Sequence, residues 1–155
     1  MRNILKVIIL IGILASCDSK RVFEDYKTID PSGWNKDSLA RFDVAITDTV
    51  HANNIYIDVR NNGNYPNSNL WLFTQVQAPN GKLLTDTVEY ILADKAGKWR
   101  GSGIGDLFDN QFLYRKNVRF EHPGVYHFSV QQGMRAKNLK GIHDIGLRVE
   151  KQNDN

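Results

Sequence analysis

Apolar residues in much of this chain recur at every second position. Phe42, Val44 and Ile46 alternate with Arg41, Asp43, Ala45 and Thr47; Ile55, Ile57 and Val59 alternate with Tyr56, Asp58 and Arg60. Tyr126, Phe128 and Val130 alternate with His127 and Ser129, and Ile145, Leu147 and Val149 close the series. A period of two puts one face of an extended strand in a core and the other in water, and it cannot be wrapped onto a helix. Residues 70–78 (LWLFTQVQA) are apolar on both faces at one end. That pattern predicts a central strand covered on both sides, with Trp71 in the core.

Turn chemistry separates these segments. Asn61 to Asn69 (NNGNYPNSN) and Pro79-Asn80-Gly81-Lys82 are turn signals, the second marking a hairpin back into Leu83 to Leu92. His122-Pro123-Gly124 separates an extended stretch, 111–121, from the strand at Val125. The spacing predicts about eight strands, a short one at Lys98-Trp99-Arg100, and no long helix. The expected fold is all-β: a single antiparallel β-sandwich, jelly-roll-like, spanning residues 39–151, with a polar tail at 152–155.

The first sixteen residues belong to a different grammar. Arg2 and Lys6 precede the apolar run Val7 to Leu14, and Leu14-Ala15-Ser16 leads directly into Cys17. Small residues after a short apolar run are those of an export signal. Placed directly before a cysteine, they resemble the lipobox of bacterial lipoproteins. The resemblance implies a signal peptide at 1–16, cleavage before Cys17 and a diacylglycerol on its thiol. An uncleaved anchor is the alternative, although a span needs about 20 apolar residues. Each buried acyl CH₂ contributes about 0.8 kcal/mol, so two or three chains hold a protein firmly on a membrane. Residues 17–38 are then expected to be the lipidated N-terminus and a tether. Fully extended, such a tether reaches up to about 60 Å at roughly 3.3 Å per residue, less if Phe23, Tyr26 and Trp34 dock.

Composition bears on the partners. The precursor carries 20 basic and 17 acidic residues, but Arg2 and Lys6 leave with the signal, so the mature chain is nearly neutral. There is no charged block of the kind that binds nucleic acid. Cys17 is the sole cysteine, so no intramolecular disulfide forms and stability must come from packing, with 16 aromatic residues available for it.

No catalytic arrangement is legible. His51, His122, His127 and His143 lack metal-ligand spacing, and no nucleophile elbow is present. The glycines at 101, 103 and 105 resemble a phosphate loop only superficially and read as an inter-strand or close-approach loop. The acidic and amide residues at 58–64 could ligate calcium, with a plain turn favoured. The chain is therefore read as non-enzymatic, with no cofactor, no metal, no nucleic acid and no small-molecule ligand expected. Trp99, Arg100 and Tyr65 are the candidate partner or glycan contacts, because aromatic faces stack on sugars and proteins.

Longer stretches carry a family resemblance. They are Asn54 to Asn62 running into Asn64-Tyr65-Pro66, Pro79-Asn80-Gly81 followed by Asp86 to Tyr90, Gly97-Lys98-Trp99 followed by Gly103 to Asp106, Gln132 to Arg135, and Leu139 to Lys151. In this order and spacing the chain resembles the gliding motility lipoprotein GldH family of the Bacteroidetes. The resemblance implies a non-enzymatic component of the gliding apparatus. It would act with other gliding motility lipoproteins and the type 9 secretion system, held in the membrane by lipid at Cys17. The outer membrane, periplasmic face, is the expected location. Asp18 after the cysteine would mean inner-membrane retention in enterobacteria, so the inner membrane stays open. A carbohydrate-binding envelope lipoprotein is the alternative function.

Overall fold

The computed structural model describes residues 18–152. The expected signal peptide at 1–16, Cys17 and the last three residues lie outside them. Ten strands follow one another: β1 (Arg21–Thr28), β2 (Trp34–Asn35), β3 (Ala40–Ile46), β4 (Asn53–Asn62), β5 (Asn69–Gln77), β6 (Leu83–Ile91), β7 (Leu107–Val118), β8 (Gly124–Gln132), β9 (Asn138–Leu139) and β10 (Ile142–Lys151). No helix occurs among the described residues.

Two antiparallel four-stranded sheets form, β1-β10-β4-β7 and β3-β8-β5-β6, with β2 and β9 as a separate short pair. Set those two short strands aside and count the rest in chain order. One sheet then holds the first, eighth, third and sixth strands; the other holds the second, seventh, fourth and fifth. This is the strand order of a jelly roll, two interleaved Greek keys. The alternating residues explain it. Phe42, Val44, Ile57, Val59, Leu70, Leu72, Phe128, Val130, Ile145, Leu147 and Val149 are all nearly inaccessible and meet between the sheets. Burying each such side chain contributes about 1.5–3 kcal/mol.

The N-terminal segment corrects the expected tether. Arg21–Thr28 pairs along β10, from Arg21 opposite Glu150 to Thr28 opposite Asp144. Trp34 is 2% exposed and its indole donates to the Ser38 carbonyl. Val22 and Phe23 pack on the core. The strand is hard to read because it lies at the sheet edge, where Asp25 and Lys27 pair with each other instead of being buried. Only residues 18–20 separate Cys17 from the sheet.

Two further expectations change. The extended stretch expected at 111–121 begins four residues earlier, as β7. The strand expected at 98–100 is a single bridge, Ala93 with Trp99. The glycine-rich connection is a close approach: a Cβ on Gly103 would lie 1.9 Å from the Leu107 carbonyl oxygen.

Candidate functional site

The outer face of the β3-β8-β5-β6 sheet carries two neighbouring exposed aromatic residues, Trp71 and Phe73. Register places side chains in rows across it. Trp71 on β5 lies opposite Glu89 on β6. Phe73 lies between Thr87 and Gln131, and Gln75 between Thr85 and Ser129. Arg41 continues the Gln75 row on β3. Trp71 is 39% exposed and Phe73 44%. Trp71 therefore leaves the core expected for it. β5 is central in its sheet, but only one face is covered, and that face belongs to Leu70, Leu72 and Thr74.

The Phe73 ring packs on Gly133, where a Cβ would sit 3.3 Å from it and 3.3 Å from the Trp71 Cβ. The Trp71 backbone N–H donates to the sulfur of Met134, in the bend after β8, at 3.3 Å. That bend is fixed by Gln132, which is fully buried: its amide donates to the Ala136 carbonyl at 2.7 Å and accepts from the Met134 N–H at 2.8 Å. Beside Phe73 a shallow depression of about 550 Å³ is lined by Leu39, Gln75, Thr85, Thr87, Ser129 and Gln131. Two exposed aromatic faces beside hydroxyl and amide groups suit a protein or sugar surface.

The outer face of the other sheet is polar and closed on itself. Tyr26 crosses Gly146 and donates to Asp58 Oδ2 at 3.0 Å. Burial pushes the Asp58 carboxyl up from its ordinary range, and beside it the Tyr26 phenol is pushed up too, by its own burial first. Arg60 donates to Asp109 and, at 3.0 Å, to Asp144. Burial acts to raise the Asp144 carboxyl. Hydrogen bonds to His143 and Thr28 and the Arg60 charge outweigh that and hold it low. Arg148 joins Asp18, Glu24 and Glu150. These pairs tie β1 to β10 and β4, while the second Asp58 oxygen, Oδ1, is buried without a hydrogen-bond partner. Among the described residues, no group of three or more His, Cys, Asp or Glu side chains is placed to hold a metal ion.

The residues singled out in the sequence lie elsewhere. Tyr65 is 4% exposed, with its hydroxyl donating to the Asn69 carbonyl at 2.7 Å, so it offers no stacking face. Its burial follows from the chain folding over it: Gly141, at φ 86°, packs against the Tyr65 backbone. Trp99 is half-buried between Tyr65 at 6.3 Å and Phe108 at 5.7 Å, and works as packing at the loop end. Arg100 is exposed beside it. The structure thus brings Trp99 and Tyr65 together as a plug. Trp71 and Phe73 form the exposed pair instead. The one available signal for them is their alternation with Leu70 and Leu72, which assigns them to the outer face.

Comparison with known proteins agrees with the sequence motifs. The family model described as GldH lipoprotein matches residues 21–149. A gliding motility lipoprotein GldH homolog of Christiangramia forsetii is 38% identical over 164 residues, covering 99% of this chain and 100% of that protein. The gliding motility lipoprotein GldH of Flavobacterium johnsoniae is 35% identical over 147 residues, covering 90% and 91%. Among solved structures, a family GH115 4-O-methyl-alpha-glucuronidase aligns at TM-score 0.43 and 10% identity, over 89% of this chain but 18% of its own. Infectious bursal disease virus aligns at TM-score 0.35 and 12% identity, over 90% and 35%. Likenesses at that level carry no argument. The matching residues and the two full-length relatives do: the chain belongs to the GldH lipoprotein family.

Proposed function

We propose that this chain is a non-enzymatic gliding-motility lipoprotein, acylated at Cys17 and held at the periplasmic face of the outer membrane. Its role is assembly with other gliding motility lipoproteins and support of the type 9 secretion system. The observation that carries the assembly role is the exposed Trp71–Phe73 pair on the outer face of β5, with Gly133 against the Phe73 ring and Met134 bonded to the Trp71 backbone. Buried aromatic anchors with a polar surround dominate protein interfaces, and here the anchors stand ready at a free face. The internally paired carboxylates of the opposite sheet support a structural reading over catalysis.

The test replaces the chromosomal copy in a gliding strain with the Trp71→Ala, Phe73→Ala double variant. Both rings are about 40% exposed, so the protein is expected to accumulate and be acylated normally. Motility, secretion and cross-linking to partner lipoproteins are expected to fall together. Normal motility and secretion in a clean deletion would overturn the proposal. Carbohydrate binding is the second reading. It is favoured by Gln75, Gln131, Ser129 and Thr85 in the depression beside Phe73. Glycan-array binding lost in Trp71→Ala would select it; no binding across a broad array would remove it.

A further inference from the structure

The sandwich has two open ends, and the chain leaves for its anchor from one of them. Lys20 accepts a backbone bond from Lys151, Lys151 pairs with Asn53, and Asn53 pairs with Val118. Lys20 and Val118 therefore lie in one row across the sheet, three strand spacings or about 14 Å apart. At the Val118 side of this row the two sheets part. Between the edge strands β6 and β7 opens an apolar groove of about 290 Å³, lined by Ile55, Leu84, Tyr114, Val118, Phe120 and Tyr126. Phe120 and Tyr126 form its floor, edge to face at 4.7 Å and almost fully buried. Leu84 stands at the mouth, 59% exposed. Lys82 and Arg119 stand with it, both exposed.

Other groups at this end agree. Val50, Leu83 and Val125 are exposed there, at 72%, 50% and 41%. They sit in or beside the β3–β4, β5–β6 and β7–β8 connections, all at the end from which residue 18 departs. Positive charge alone does not choose an end, because Lys95, Lys98, Arg100, Arg135, Lys137 and Lys140 crowd the opposite one. The apolar groove and the exit of the chain do choose. With only residues 18–20 between Cys17 and β1, and Asp18 tied to Arg148, the domain has little room to stand off from its anchor.

We infer that this end of the sandwich sits on the bilayer, and that the groove between β6 and β7 takes an acyl chain of an anionic membrane lipid whose headgroup meets Lys82 and Arg119. The inference rests on lipidation at Cys17. Its consequence is orientation: with the groove end held down, the Trp71–Phe73 face stands upright, open to a partner alongside.

The test uses the full acylated protein in mixed phosphatidylcholine and phosphatidylglycerol vesicles carrying a doxyl-labelled phospholipid. Acylation consumes the only native thiol, so Leu84→Cys provides a unique labelling site, and Ile104→Cys, 96% exposed at the opposite end, is the control. Both positions are exposed, so both variants are expected to fold. A fluorophore at 84 is expected to be quenched at least about threefold more than one at 104, as for groups seated 5–10 Å into the interface. Equal quenching at both sites would overturn the inference. So would a blue-shifted but unquenched probe at 84, which means that something other than a bilayer lipid fills the groove. Mass analysis of the unsubstituted protein separates the two failures: a free Cys17 thiol removes the anchor reading, whereas acylated Cys17 with an unquenched probe removes the groove alone.

Discussion

Gly146 shows how one residue positions a whole strand. It lies in β10 between Tyr26 on β1 and Asp58 on β4, with no side chain of its own in the way. A Cβ there would meet the Tyr26 ring at 2.5 Å and Asp58 Cβ at 3.0 Å. Gly146→Ala is therefore expected to push the ring off Asp58, break their hydrogen bond and cost about 1–3 kcal/mol, as overpacking does. The same substitution in a Tyr26→Ala background is expected to cost much less, because the obstructing ring is gone. Urea midpoints of the four proteins in the cycle measure the coupling, and additive costs would refute it. Such a glycine is not legible in sequence, where Ile145, Leu147 and Val149 alternate unbroken across it. Trp71 fails for the opposite reason. Large aromatics are usually buried, and alternation with Leu70 and Leu72 is the weaker signal, yet alternation decides its position.

At the level of elements, the strands whose apolar residues alternate in sequence are those whose inner residues meet across the core: β3, β4, β8 and the 145–149 part of β10. Their periodicity is a direct print of burial, so their existence and their buried faces are legible. β1 is not, because its attachment comes from one neighbour and from charge pairs formed only in the fold. Arg148, on β10, gathers Asp18, Glu24 and Glu150, of which the first two belong to the segment entering β1 and to β1 itself. Truncation to Arg148→Met is expected to leave three carboxylates facing each other without their cation. Amides of Arg21–Thr28 should then exchange faster, while those of β4 and β8 keep their protection. High salt should narrow the difference, since the carboxylates are partly exposed and their repulsion is screened. Uniform loss of protection over all strands would mean that β1 is not a separately opening unit. The candidate site follows the same logic: its aromatic pair lies on a readable strand, but the bend at Gly133 and Met134 beside it is made by Gln132, a buried amide that bonds Ala136 and Met134 locally and reaches the Trp34 carbonyl across the fold.

The molecule as a whole is joined almost entirely by non-local pairing. Among the long strands only β5 and β6 form a hairpin; every other connection passes from one sheet to the other. β10 completes its sheet by bridging β1 and β4, whose residues lie far earlier in the chain. Loop closure must be met before such contacts stabilise anything, so refolding is expected in milliseconds to seconds, as for all-β sandwiches. The order of events is testable with two substitutions of similar cost. Gly81 sits in the hairpin turn at φ 84° with nothing within 4 Å of a Cβ, so Gly81→Ala costs only backbone conformation, about 1 kcal/mol. Ile145 is fully buried in β10, and Ile145→Val removes one methyl group, also about 1 kcal/mol. If the hairpin is the local nucleus and β10 closes the sheet late, Gly81→Ala slows refolding up to about fivefold and hardly changes unfolding. Ile145→Val does the reverse. Stopped-flow fluorescence, with buried Trp34 as reporter, measures both limbs. Slower refolding in Ile145→Val with unchanged refolding in Gly81→Ala would place the nucleus in the β1-β10-β4 sheet, and the hairpin would then be an edge added afterwards.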